Sequence, residues 1–194
     1  MLIDPEQPIE EVWKLRGFGQ PTRYRIREID GRPAIEAAGR ASAAGLFRDL
    51  RFMVREYPIV EWAWRVDRLP EAADIRSSEA DDYGASLYFL FGRPGLLRPE
   101  PPTLAYAWTS EATPEGAIVA SPRHPGTLRT FVLKSGSDNL GEWVTERRNL
   151  VEDYRQVFGE DPPEHVEVVA LWSDSDQTGE AVKAYYGRAV ARRR

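Results

Sequence analysis

The sequence predicts a mostly-β protein, an antiparallel β-sandwich or jelly roll carrying one short helix. Three observations lead there. Short segments alternate apolar and polar residues with the period of two that marks a strand with distinct faces. Gly- and Pro-rich punctuation separates them, as in "TPEG", "SPRHPG" and "GEDPP". Only one stretch carries a full set of helix start and stop signals, whereas a parallel α/β sheet requires a helix after nearly every strand.

Taken in order, "TRYRIREIDGRPAIEAAG" reads as two strands around Asp30-Gly31, a dipeptide favoured in two-residue hairpin turns. "GLFRDLRF" follows. In "PIVEWAWRVDRLP", Val60, Trp62, Trp64 and Val66 share one face, and Ile59, Glu61, Ala63 and Arg65 share the other. "ASLYFLFG" sets Leu87, Phe89 and Phe91 against Tyr88 and Leu90, and "TLAYAW" sets Leu104, Tyr106 and Trp108 against alanines. "LRTFVLKSG" and "HVEVVALWS" complete the clear strands. The Pro-rich stretch from Arg93 to Thr103 reads as a loop, because strands of the same kind resume after it.

The helix begins at Asn149, with Glu152 at capping-box spacing. Leu150, Tyr154, Val157 and Phe158 fall on one face, Gly159 supplies a left-handed stop, and Pro162-Pro163 forbid continuation. The C-terminal "GEAVKAYYGRAVARRR" is ambiguous between helix and strand, and Gly187 with the tyrosine pair favours a strand. The chain is expected to be one β-sandwich domain over 1–194, with residues 1–20 as an N-terminal extension and 188–194 as a basic tail.

Composition excludes several kinds of chemistry. With no cysteine there is no disulfide, thiol nucleophile, Cys-ligated zinc or iron–sulfur cluster. Two histidines, His124 and His165, are too few for a His-rich metal centre. A net charge of −5 argues against phosphate-backbone binding, so no nucleic-acid partner is expected. No apolar run approaches the roughly 20 residues of a membrane span. The sequence contains no Gly-x-Ser-x-Gly elbow, and "GFGQPT" lacks the lysine of a phosphate-cradling loop. The start "MLIDPEQPIEEVWKL" has no secretory pattern, which gives a cytoplasmic expectation for the chain as it stands. A trimmed mature chain, periplasmic or secreted, would read the same.

Four fragments carry a family resemblance: "PIVEWAWRV", "EADDYGASLYFLF", "WVTERRNLVEDYRQVFGEDPP" and "VVALWSDSDQTGEAVKAYYG". They resemble a bacterial family known as domain of unknown function 3047, over roughly Arg40 to Gly187. In that family's pattern a lysine usually follows the second tryptophan. Arg65 stands there instead, keeping the charge but removing a Schiff-base amine. The resemblance implies a jelly-roll sandwich of the kind seen in galactose-binding-like and other carbohydrate-binding modules.

The candidate ligand-binding residues are Trp62, Trp64, Arg65, Asp81, Asp82, Trp108 and Tyr186. The tryptophans serve either as core or as a stacking platform for a sugar ring. Arg65 is either the anchor of a carboxylate or phosphate or one half of a salt bridge. Asp81 and Asp82 follow Glu79, and such a crowd of acids needs a cation or arginine to answer it, or solvent.

Asp174 and Asp176, in "SDSDQT", alternate with other oxygen-bearing side chains as in loops that bind hard cations, so calcium is the candidate metal. An Asx-type turn and a ligand-facing polar rim are the other readings of that loop. His124 reads as an incidental loop residue.

Three functions stay open. One is non-catalytic binding of a carbohydrate or similar polar small ligand. Another is a glycan-active hydrolase or lyase using carboxylates near Glu61, Asp81 and Asp82. The third is a protein-interaction or assembly module with an exposed aromatic face. A shared rim between the "SDSD" loop and the "EWAWR" strand is the spatial expectation that would unite these residues.

Overall fold

The computed structural model describes residues 1–93 and 100–193. In chain order its elements are α1 (Ile9–Val12), β1 (Lys14–Phe18), β2 (Arg23–Ile29), β3 (Arg32–Arg40), β4 (Ala43–Met53), β5 (Ile59–Arg68), β6 (Ala85–Leu90), β7 (Thr103–Thr109), β8 (Ile118–Ala120), β9 (Leu128–Ser135), β10 (Val144–Asn149), α2 (Leu150–Phe158), β11 (His165–Asp174) and β12 (Ala181–Arg192). They build two sheets, one ordered β1-β4-β11-β6-β7-β9-β8 and the other β10-β5-β12-β3-β2. The expected β-sandwich is therefore present. Among the described residues the one parallel pairing is that of β7 with β9, reached by a crossover that lays β8 on the sheet edge.

Local sequence explains the connections. The β2–β3 hairpin turns at Asp30 and Gly31, whose φ values of 53° and 70° are the two left-handed residues that a type I′ turn requires. Asn149 caps α2 by accepting hydrogen bonds from the backbone N–H groups of Val151 and Glu152, and Gly159 ends it with φ 72°. The ambiguous C-terminal stretch is a strand. β12 lies between β3 and β5 and pairs with both, so a strand flanks its tyrosines on either side.

The core lies between the sheets and is unusually aromatic. From β5 come Val60, Trp62, Trp64 and Val66; from β7, Leu104, Tyr106 and Trp108; from β6, Leu87 and Phe89; from β12, Tyr186. Trp62 packs edge-on against Trp64 with centroids 5.4 Å apart, and lies 5.2 Å from Tyr106. At one end α2 closes the sandwich. There buried Asp153 accepts from the Tyr106 hydroxyl at 2.6 Å and from two nitrogens of Arg148 at 2.9 and 2.6 Å.

Two boundary expectations are corrected. Residues 1–20 are not a free extension: Leu2, Ile3 and Trp13 are buried, Ile3 bridges Ala189, and β1 forms an edge of the larger sheet. Nor do residues from 188 onward form a tail, since β12 stays paired with β5 as far as Arg192. The predicted loop from Arg93 to Thr103 lies largely outside the described residues. Among the described residues no helix is long and apolar enough to cross a membrane.

Candidate functional site

The strand alternation that sends Leu171 and Ser173 inward turns Trp172 and Asp174 onto the outer face of the seven-stranded sheet. Across the ladder, Trp172 sits opposite Gly45 and Asp174 opposite Ala43. Phe47 and Phe18 occupy the same face on β4 and β1. The result is a cleft of about 710 Å³ floored by Phe18, Phe47, Trp172, Tyr88 and Tyr83.

The Trp172 ring is half-buried, with Phe47 edge-on at 6.2 Å and Phe18 tilted at 6.5 Å. Phe18 is 73% exposed, so this end of the aromatic floor opens to solvent. Beneath it, the Tyr186 hydroxyl donates to the Trp172 carbonyl at 2.8 Å and accepts the Ser86 N–H at 3.0 Å. Tyr186 thus ties β12 of one sheet to β11 and β6 of the other, directly under the cleft.

The polar wall comes from three loops. Asp81 and Asp82 end the loop between β5 and β6; Ser121, Arg123 and His124 follow β8; Asp176 and Gln177 follow β11. Buried Asp82 holds the last of these loops, accepting the Gln177 N–H at 3.2 Å and the Thr178 N–H at 2.7 Å. Gly179, at φ 73°, completes the turn by donating to the Ser175 carbonyl. Asp174 accepts the Tyr83 N–H at 2.8 Å and the Trp172 indole N–H. His124 faces Glu100 at 3.1 Å, and Arg123 lies 3.6 Å from Asp81.

These surroundings shift the acids upward. Burial raises the Asp81 carboxyl to about 6, against the lowering pull of Tyr83 and Arg123. Burial also lifts Asp174 well above the ordinary aspartate range, and the Asp82 charge adds to it. Asp176 is raised by desolvation and by Asp82. Carboxylate oxygens of Asp82, Asp174 and Asp176 lie within 4.8 Å of one another, a spacing that an oxygen-coordinated cation accepts.

Four of the nominated residues thus converge here: Asp81, Asp82, Asp174 and Asp176. The others do not, and their ligand-binding readings are corrected. Trp62, Trp64 and Trp108 are at most 2% exposed and fill the core, because their strand face is the one pressed against the opposite sheet. Tyr186 is fully buried and acts from below the cleft floor. Arg65 lies on the outer face of the five-stranded sheet, paired with Asp67 at 2.6 Å and Asp30 at 2.8 Å and stacked near Tyr185. Glu61 shares that outer face, bridged to Arg147 and Arg192, so no Glu61–Asp82 pair forms. The "SDSD" loop and the "EWAWR" strand belong to different sheets and share no rim.

Sequence reasoning passed over Phe18, Phe47, Tyr88, Arg123 and Glu100, and set His124 aside. One signal for the floor was present: period two puts Trp172 on the face of Asp174, and Tyr88 opposite Leu87 and Phe89.

The family model described as "Protein of unknown function (DUF3047)" matches residues 11–190. The chain belongs to this family. The DUF3047 match takes in β1 through most of β12, hence every strand that builds the cleft floor. None of the curated proteins matches. Among solved structures, this DUF3047 protein is similar to the endoglucanase cel12A from Rhodothermus marinus, at TM-score 0.47 and 11% identity over 94% of this chain and 96% of the other. It is also similar to CBM28, a non-crystalline cellulose specific carbohydrate-binding module, at TM-score 0.42 and 14% identity over 87% of this chain and 79% of that one. Likeness at that level carries no inference about what the DUF3047 chain binds.

Proposed function

We propose that the cleft binds a carbohydrate or similar polyol without transforming it. The observation that carries this reading is Trp172, a half-buried indole backed by Phe47 and Phe18 and bordered by carboxylates, Arg123 and hydroxyl-bearing side chains. A sugar presents an apolar C–H face and a rim of hydroxyls, and such a floor and wall complement both. The cleft volume of about 710 Å³ is that of a small-molecule site, for which about 300–1,000 Å³ is usual. The test is Trp172→Ala against an oligosaccharide panel. Binding is expected to disappear with a smaller loss of melting temperature than a core tryptophan gives, and undiminished binding would refute the reading.

One observation favours a catalytic version. Asp81 lines the cleft, is only 8% exposed and holds its proton up to about pH 6, the state a general acid needs in mildly acidic solution. A glycan hydrolase and lyase screen decides it: turnover abolished by Asp81→Asn would replace the binding reading, and an inactive wild type would leave binding alone.

A further inference from the structure

We propose that the cleft selects a cationic amino sugar, one bearing a protonated primary amine on a ring carbon, over neutral or acidic sugars; this rests on the reading of the cleft as a saccharide site. The argument is one of charges facing one space. Asp81, Asp174, Asp176 and Glu100 all line the cleft, against Arg123 and His124.

The two basic groups are already engaged. His124 meets Glu100 at 3.1 Å, while Arg123 stands 3.6 Å from one oxygen of Asp81 and donates to the Ser78 carbonyl. The other Asp81 oxygen, Oδ1, is buried and accepts no direct hydrogen bond among the described residues, with the Tyr83 side chain beside the carboxyl, and Asp81, 8% exposed, lines the cavity. Leaving such an acceptor unmet is costly, so it marks a place for a donor that a ligand brings.

The remaining acids are met by neutral donors. Asp174 accepts the Tyr83 N–H and the Trp172 indole, and Asp176 accepts the Gln177 amide at 2.6 Å. Asp82, behind them, faces the backbone N–H groups of Gln177 and Thr178. Among the described residues the carboxyl groups lining the cleft thus outnumber its arginine, Arg123, which answers one oxygen of Asp81. A carboxylated sugar would add like charge, and a neutral one would leave the imbalance standing. A primary ammonium on a ring carbon brings three donors and a positive charge to these oxygens. The Trp172 and Tyr88 rings of the floor attract the same cation, while the Phe47 ring already carries Arg16 over it at 5.3 Å.

Calorimetric titration of the full chain at neutral pH tests this with matched tetrasaccharides of glucosamine, N-acetylglucosamine and glucose, and separately with calcium chloride. The glucosamine oligomer is expected to bind about tenfold tighter than the other two, with a preference that shrinks as salt rises. Asp81→Asn and the exposed Asp176→Asn should each bring its affinity down towards that of the neutral oligomers. Neutral oligomers binding as tightly as the amine would overturn the charge selection and leave the saccharide reading intact. No saccharide binding at all would remove both. Calcium saturating the acids and displacing the glucosamine oligomer would assign them to a metal and overturn the proposal.

Discussion

A Cβ placed on Gly45 would stand 2.2 Å from Cε3 of Trp172, so the indole lies flat on β4 only because Gly45 has no side chain. The two residues face one another across the β4–β11 ladder. The aromatic floor of the cleft is thus built from one strand's absence of a side chain and its neighbour's largest one. Gly45→Ala is expected to expel the ring, shifting tryptophan emission and near-UV circular dichroism. Saccharide affinity should fall with it, at a stability cost of about 1–3 kcal/mol. An unchanged aromatic spectrum would contradict the contact.

The tryptophans divide by face. Trp64→Ala opens a void in a core where the ring is fully buried and meets Trp62 and Trp108. It is expected to cost about 3–5 kcal/mol in urea unfolding. Trp172→Ala, on the open face, should cost far less. Equal losses at the two sites would mean that the outer aromatics are structural as well.

Asp82 is a clamp. Removing its carboxylate in Asp82→Ala frees the backbone N–H groups of Gln177 and Thr178. The expected penalty is about 1–3 kcal/mol, with faster hydrogen exchange at those two amides than elsewhere in the chain. Protection at Gln177 and Thr178 equal to that of the unaltered protein would show that the loop holds itself.

Burial raises the Asp81 carboxyl to about 6 from an ordinary 3.8, so the folded protein holds this proton more tightly than the unfolded chain does. Its contribution to stability is therefore greatest below about pH 4 and is lost as pH rises through about 6. Asp81→Asn should flatten the stability profile between pH 4 and 6, and at pH 7 gain about 1–3 kcal/mol less whatever the Arg123 contact contributes. Urea titrations at several pH values check this. A profile in the variant as steep as in the wild type would place the titration elsewhere.

The sequence by itself determined the sandwich, the left-handed pair at Asp30-Gly31, the capped helix from Asn149 to Gly159 and the two-sided character of each strand. These are local matters: φ > 0 at a turn, an N-cap oxygen and a period of two depend on neighbours along the chain. Nomination of Asp81, Asp82, Asp174 and Asp176 was also legible, since crowded acids near strand ends stand out.

What the tertiary structure decided is which face of each strand meets the other sheet. Period two separates Trp62 and Trp64 from Glu61 and Arg65, yet it does not say which set turns inward, and on β6 and β11 both faces carry large apolar residues. Only the packing of the two sheets placed Trp172 outside and Trp64 inside, and carried Arg65 to the far surface. The meeting of Asp82 with the loop after Asp174 is likewise non-local. It exists because β11 pairs with β6, bringing the start of one strand beside the end of the other, so that acids distant in the chain share one cleft.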